Sequence, residues 1–309
     1  MQDLKKHRFG IDLGGTKIEL IVLVVEEVQG QIVSSDILFR ERVATPKEDY
    51  QGTVKAILGL IDQAEQALSI SADSIGVGIP GAISYKTGLI KNANSQCLIG
   101  QDLKGDLQAQ LKVPVSLAND ANCFALSEAK DGAAKDGKVV FGVIIGTGCG
   151  GGLIVDGKIV SGVNAIGGEW GHNPLPWQTE VDTAMSCYCG LKGCNETFLS
   201  GSGFQTHFYE LTGQKLKAQE IVALAEQGNE QAQQMLDRYV VWLAKGLASV
   251  INIVDPDVIV LGGGMSNIET LYERVPEIWQ RWVFSDQVDT QLVAPEYGDS
   301  SGVRGAAWL

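Results

Sequence analysis

The chain has 309 residues, 45% of them hydrophobic, and a formal net charge of −13 at pH 7. That length suits two domains with separate cores, and the acidity argues against nucleic acid as a partner, because phosphate backbones demand clustered Lys and Arg. The longest purely aliphatic run, Leu20 to Val25, is far short of the roughly 20 residues of a membrane span, and no apolar leader precedes Asp12, so the chain reads as a cytoplasmic protein.

The first apolar segment, GIDLGGTK (10–17), resumes as IELIVLVV, which predicts two strands joined at Gly14-Gly15. Turn chemistry alone accounts for Asp12, Gly14, Gly15 and Thr16. The same residues suit a phosphate cradle, with glycine N–H groups, the Thr16 hydroxyl and the Lys17 charge around an anion. The octapeptide by itself leaves both readings open. YQGTVKAILGLIDQAEQAL has helical spacing, and SIGVGIPGAI reads as a buried strand ending at Pro80-Gly81. VPVSLAND is a strand that stops on polar residues, and ANCFALSEAK after it is a good helix former. Asn119 and Asp120 both suit the N-cap of that helix. A carboxylate at a strand end, kept ionised by a helix N-terminus, also suits a general base.

FGVII (141–145) repeats FGIDL (9–13) at a domain-sized interval, and each precedes a glycine-rich turn and further apolar sequence. A duplicated α/β unit with a cleft between the halves is expected. QQMLDRYVVWLAKGLASVINIV predicts a long amphipathic helix, and DPDVIVLGGGMS another strand running into glycines. Strands alternating with helices place ligands at strand ends. Three glycine turns, Gly14-Gly15-Thr16-Lys17, Gly146-Thr147-Gly148 and Gly262-Gly263-Gly264, favour a nucleotide, although none is a P-loop or a Rossmann fingerprint. In an acidic chain an anionic substrate needs local compensation from a divalent cation, loop N–H groups and placed lysines.

Cys187, Cys189 and Cys194 lie close together, whereas Cys97, Cys123 and Cys149 are scattered singly. With His172 nearby, the C-x-C-x4-C spacing reads as a closed structural zinc site rather than a redox or incidental cluster. His7 and His207 sit in no comparable setting. Glu169, wedged in GGEWGH, and Glu196 flank the cluster and could bind hydroxyls of a small polar ligand, surface solvation being the alternative for either.

DLGGTK, NDANCFALSEA, GTGCGGG, GGEWGHNPLP, CYCGLKGCNETFLSG and VLGGGMS, in this order, resemble the motifs of the ROK family of sugar kinases, and the similarity runs on to GDSSGVRGAAWL. KNANSQCLIGQDL, HNPLPW and GDSSGVRGAA look most like bacterial fructokinases of the manno(fructo)kinase type. N-acetylglucosamine kinases and glucokinases of the family are the next nearest. The resemblance implies an α/β, duplicated actin-like (ribonuclease H-like) ATPase fold with an active-site cleft between two domains. The division expected is 1–118 with about 298–309 in a small domain, and 119–297 in a large one carrying the zinc loop. The implied activity is ATP-dependent phosphorylation of a hexose at its 6-hydroxyl, D-fructose first, with N-acetylglucosamine, glucose and mannose as alternatives.

By the same resemblance Gly14 to Lys17 would cradle the ATP phosphates and Asp12 would help place Mg²⁺. Gly146 to Gly151 (with Thr147, Gly148 and Gly150) would form the second phosphate loop, and Gly262, Gly263 and Gly264 would approach the adenosine. Asp120 would be the base, and Asn119, Glu169, His172 and Glu196 would hold sugar hydroxyls. His172 would also ligate zinc with the three cysteines, and a homodimer is the family expectation. Trp170, Pro174, Pro176 and Trp177 crowd the segment around His172. If they face the pocket they exclude an N-acetyl group, which favours fructose. Some family members are repressors with a helix-turn-helix ahead of the kinase fold. Here nine residues precede Gly10, and a non-catalytic sugar-responsive regulator has no need of Asp120.

Overall fold

The apolar segments build two five-stranded sheets on one plan. A computed structural model describes residues 4–28, 31–93, 95–180 and 182–309; Asn94, within the segment that suggests a fructokinase, lies outside them. β1 (Leu4–Leu13), β2 (Lys17–Val28) and β3 (Gln31–Ala44) form an antiparallel meander, and α1 (Tyr50–Leu68) leads to β4 (Ser74–Ile79). A small hairpin, β5 (Ala82–Ile83) and β6 (Ile90–Lys91), and α2 (Leu103–Gln108) precede β7 (Val115–Asn119). α3 (Asp120–Lys130) crosses to β8 (Val139–Ile145), β9 (Cys149–Val155) and β10 (Lys158–Ile159). After a long loop come α4 (Asn195–Leu199), α5 (Gly201–Thr212), α6 (Ala218–Glu226) and α7 (Glu230–Val254). β11 (Val258–Gly262), α8 (Thr270–Trp279), β12 (Gln291–Val293) and α9 (Ser301–Ala307) complete the order.

The strand orders are β3-β2-β1-β4-β7 and β10-β9-β8-β11-β12. In each, the first three strands are antiparallel and the last two join in parallel. The repeat of FGIDL in FGVII is therefore a repeat of topology: both segments are central strands followed by a glycine hairpin.

Local chemistry accounts for the helices. Asp49 caps α1 by accepting from the Gly52 N–H, and Val54, Ile57, Leu60, Ile61 and Ala64 recur at helical spacing on its buried face. α7 starts at an Asn229 cap and ends where Asp255 turns left-handed. No helix among the described residues is long and apolar enough to cross a membrane.

Separate cores lie against each sheet, one including Ile11, Val54, Ile57 and Val77, the other Val143, Phe198, Tyr239, Leu243 and Ile259. A third cluster joins Ile21 and Leu23 of β2 to Phe124 of α3, Val140 of β8 and Val303 and Trp308 at the C-terminus. α9 reaches this junction because its residues are small. A Cβ at Gly305 would run into the Cys123 carbonyl, and one at Gly10 into the Val303 carbonyl. Gly305→Ala is expected to cost about 1–3 kcal/mol, the cost of overpacking a filled site, read as a lowered midpoint in thermal unfolding. An unchanged midpoint would show that α9 can slide away from α3.

Candidate active site

The end of β7 and the start of α3 place the first pair of residues. Asn119 is the N-cap: its Oδ1 accepts from the Ala121 N–H at 2.9 Å, and its Nδ2 donates to the Gly81 carbonyl at 2.9 Å. Asp120 opens the helix and accepts from the Ala121 N–H at 2.8 Å. Its side chain is reachable by solvent but hemmed in by protein. That loss of bulk water raises its pKa, the Ala121 N–H opposes the rise, and the charge of Glu169 adds to it. Asp12, near the end of β1, is pushed up to about 6, chiefly by burial and then by the charges of Asp120 and Glu19, with Lys17 and Arg42 pulling the other way. The fold thus brings Asp12 within electrostatic reach of Asp120, and Asp120 within reach of Glu169.

The first hairpin turn borders a cavity of about 550 Å³ through Gly15 and Thr16. Gly15, Thr16 and Lys17 are exposed, the Gly14 N–H donates to the Lys17 carbonyl at 3.0 Å, and Thr45 at the end of β3 holds the turn through the Gly14 and Thr16 carbonyls. The second turn faces a cavity of about 540 Å³ lined by Gly146, Thr147, Ser202, Lys217, Gln219 and Gly264 among others, within the size range of ligand pockets. At Gly146 and Gly264 no neighbour lies within reach of a Cβ and φ is not positive. Glycine at those two positions leaves space empty in the cavity wall, which suits a nucleotide approaching the backbone.

Four of the glycines expected near the phosphates and adenosine do not line this cavity. Gly150 and Gly151 are ladder residues of β9 opposite Ile144 and Val143, with the Gly150 carbonyl accepting from Trp170 Nε1. Gly262 backs onto the Phe124 ring, and Gly263 turns at φ 80° against the Ile145 backbone. Gly151, Gly262 and Gly263 make room for protein, and Gly264 is the one of its triplet on the cavity wall.

The four metal-type side chains converge. The ligand atoms of His172, Cys187, Cys189 and Cys194 all lie within 4.8 Å of one another. Cys187 Sγ is 3.6 Å from His172 Nδ1, and Cys189 Sγ is 3.7 Å from Cys194 Sγ. Ligands on a zinc tetrahedron stand roughly 3.5–3.8 Å apart, whereas a disulfide brings sulfurs to about 2 Å. The donor set therefore fits zinc. His172 presents Nδ1 to this cluster, while its Nε2 meets the Tyr188 hydroxyl at 3.0 Å. His207, in contrast, is buried against Phe198 and Trp242, with its pKa lowered to about 4 by burial. It is a core histidine.

Glu196 ties the cluster to the second turn. Its Oε2 accepts from the Cys149 N–H at 3.0 Å, and its Oε1 lies 3.9 Å from Cys187 Sγ. Glu169 and Asn119 border a smaller cavity of about 150 Å³ whose walls include Ala82, Ile83, Tyr85, Ile159 and Ser161. None of the four crowding residues lines it. Trp170 is buried edge-on to Phe141, Pro174 pairs with Cys194, and Trp177 lies beside Trp282. The steric case against an N-acetyl group falls with them.

Sequence reasoning missed Ser202, Lys217 and Gln219 on the larger cavity, and the anchor of the loop that carries the cysteines. Asp182 accepts from Trp242 Nε1 at 2.7 Å, from Thr179, and from the buried Lys245 at 3.2 Å. Burial alone would raise the Asp182 pKa; these donors hold it below the usual carboxylate value.

The ROK family model matches residues 8–309. The chain belongs to the ROK family. It is a sugar kinase of that family, similar to the N-acetyl-D-glucosamine kinase of Photobacterium profundum at 40% identity over 306 residues, 97% of this chain and 98% of that one. Among solved structures, the ROK hexokinase of Thermus thermophilus superposes with a TM-score of 0.84 at 29% identity, covering 98% of this chain and 97% of that one. A ROK glucokinase from Streptomyces griseus, solved with glucose and AMPPNP, gives 0.74 at 26% identity, covering 97% and 98%. The duplicated actin-like α/β fold expected from the sequence is the fold of this family.

Proposed function

We propose that this chain is an ATP-dependent N-acetyl-D-glucosamine kinase that phosphorylates the primary 6-hydroxyl of its sugar. The observation that carries the kinase chemistry is the position of Asp120, accessible at the head of α3 and grouped with Asp12 and Glu169. The choice of sugar rests on the relatives: end-to-end similarity at 40% identity is to a protein named for N-acetyl-D-glucosamine. The fructose expectation gives way to it. Physical support comes from the cavity beside Asn119 and Glu169, where Ala82, Ile83 and Ile159 offer apolar wall for an acetyl methyl.

In this reading Asp120 accepts the proton of the sugar 6-hydroxyl as that oxygen attacks the terminal phosphorus. Asn119, Glu169, His172 and Glu196 orient the sugar, with His172 exchanging its Tyr188 contact at Nε2 for a sugar hydroxyl. Gly14, Gly15, Thr16 and Lys17 hold phosphate oxygens from one half, and Gly146, Thr147 and Gly148 from the other. Asp12 would hold Mg²⁺, which neutralises phosphate charge when bound. His172, Cys187, Cys189 and Cys194 would hold a structural zinc that shapes the loop. The halves, placed at 1–118 with about 298–309 and at 119–297, close over the substrates, in the cytoplasm and as a homodimer.

The test is an ATP-coupled assay across N-acetylglucosamine, fructose, glucose and mannose. We expect the highest kcat/KM for N-acetylglucosamine. A tenfold or greater preference for fructose would restore the fructokinase assignment, and no turnover of any hexose would overturn the kinase reading.

A further inference from the structure

A ring nitrogen of histidine makes one in-plane hydrogen bond, as donor or as acceptor. At His172 Nε2 that bond is taken by the Tyr188 hydroxyl, 3.0 Å away. The two rings meet edge to face, with centroids 5.1 Å apart and planes at 86°, so the phenol lies against the imidazole. On the other side of the ring, Nδ1 is 3.6 Å from Cys187 Sγ. A metal held there takes the Nδ1 lone pair, which leaves the N–H of the neutral ring at Nε2 as a donor. One proton serves one acceptor, and among the described residues that acceptor is the Tyr188 oxygen.

Little else holds the Tyr188 side chain. The residue is 78% exposed, and its hydroxyl makes no second hydrogen bond among the described residues. The backbone on either side is fixed. Cys187 and Cys189 belong to the cluster, the Cys187 N–H donates to the Leu191 carbonyl at 2.8 Å, and the Gly190 N–H donates to the Cys187 carbonyl at 3.1 Å. A rotamer change of one exposed side chain is therefore enough to free Nε2, with the loop left in place. The phenol is also within electrostatic reach of Glu196 and Glu169. His172, Glu169 and Glu196, three of the residues read as orienting the sugar, thus lie around one exposed tyrosine.

We propose that Tyr188 is a further residue of the sugar site and sets its affinity: its hydroxyl stands in for a sugar hydroxyl on His172 Nε2, and a sugar binds by displacing it. The proposal rests on the reading of His172 as a sugar-binding residue. Displacement exchanges one hydrogen bond for another, so the sugar gains only the difference between them. The site is competent only in the fraction of molecules whose Tyr188 has turned away, and the apparent affinity falls by that fraction. In return, the contact holds the imidazole in its working orientation until a sugar arrives. A sugar that offers no oxygen to Nε2 leaves that donor unpaired if it expels Tyr188, and is disfavoured for it.

Calorimetric titration of Tyr188→Phe beside the unaltered protein tests this, with N-acetylglucosamine, glucose, fructose and mannose as probes and no nucleotide present. The Phe variant keeps the ring against His172 and removes only the competing oxygen, and an exposed side chain loses a hydroxyl without unfolding the loop. The sugar bound by the unaltered protein is expected to bind the variant about 2- to 10-fold more tightly, the range of one net hydrogen bond between neutral groups. The sign of the change is decisive, because a tyrosine that merely braced the loop would weaken sugar binding when altered. The Kd of a non-hydrolysable ATP analogue should stay within about twofold, since the cavity at Gly146 and Gly264 includes neither Tyr188 nor His172. Sugar affinity that is unchanged or weaker in Tyr188→Phe overturns the proposal, the weaker case making the hydroxyl a direct sugar contact. An unaltered protein that binds none of the four sugars overturns the sugar site and this proposal together. Tighter binding in the variant, with no hexose phosphorylated by the unaltered protein, would sink the kinase reading alone.

Discussion

Asp120→Asn is expected to lower kcat by about 10²- to 10⁴-fold, the usual contribution of a positioned general base, while the sugar still binds. The amide has the shape of the carboxyl and can still receive the Ala121 N–H that Asp120 accepts, so α3 and its Asn119 cap are undisturbed. What it cannot do is take up the proton that the sugar hydroxyl must lose. The roughly 3–5 kcal/mol this adds to the barrier falls on the chemical step, so KM and calorimetric sugar affinity stay close to those of the unaltered protein. The same argument fixes the pH dependence. Burial and the neighbouring charge of Glu169 raise the Asp120 pKa, so the protonated, inactive form persists to higher pH than for an ordinary aspartate. Activity therefore falls as pH drops through that raised value, and Asp12, at about 6, loses its charge in the same direction. In the Asn variant the Asp120 limb disappears from the residual rate. A variant that keeps more than about a tenth of the original kcat removes Asp120 from the base role.

Much of the architecture was legible because its signals are local. The glycine-rich breaks after FGIDL and FGVII marked both hairpin turns, and the repeat of those two segments pointed to the duplication. The helix at 50–68 coincides with its apolar periodicity, and the cysteine spacing marks a site that needs little of the rest of the chain. Other features depend on what packs across from a residue, which periodicity does not encode. Gly150, Gly151 and Gly262 looked like loop glycines continuous with the turns beside them, but they are strand residues, Gly151 and Gly262 making room for Trp170 and Phe124 and Gly150 accepting from Trp170 Nε1 through its carbonyl. Trp170 could as well have faced the pocket as the core. Arg40 and Arg42 alternate along an edge strand, the ordinary pattern of a solvated face; the fold pairs both with the buried Glu19 on the next strand. Asp182 sits in a loop without periodicity, and its partners Trp242 and Lys245 are some 60 residues away.

Removal of zinc is expected to abolish efficient sugar phosphorylation while sparing nucleotide binding. The reason lies in how the loop is tied. At its base, His172 and Cys194 are already brought together by backbone pairing: Asn195 N–H donates to the Asn173 carbonyl at 2.8 Å, and Leu175 N–H to the Gly193 carbonyl at 2.9 Å. Midway, Asp182 is pinned to α7 by Trp242 and Lys245. These ties need no metal, so the fold survives chelation. Among the described residues, the segment around Cys187 to Cys189 has no comparable side-chain anchor apart from the cluster itself, and there His172 meets both Cys187 and Tyr188. Freed of metal, the His172 ring would lose the tautomer and orientation that a zinc held through Nδ1 would impose, and Glu196, 3.9 Å from Cys187 Sγ, would lose a fixed neighbour. Disturbing groups that orient a ligand set costs 10- to 100-fold; loss of the ion itself should exceed that, so kcat/KM for the sugar should fall by more than about 100-fold. The Kd of an ATP analogue should stay within about twofold, because the cavity at Gly146 and Gly264 shares no residue with the cluster. Elemental analysis should find one zinc per chain before chelation, and readdition of zinc should restore activity. Cys194→Ala should reproduce the chelated state. Finding no zinc, or finding Cys194→Ala kinetically unchanged, would leave the four side chains a reduced thiol cluster without a structural ion.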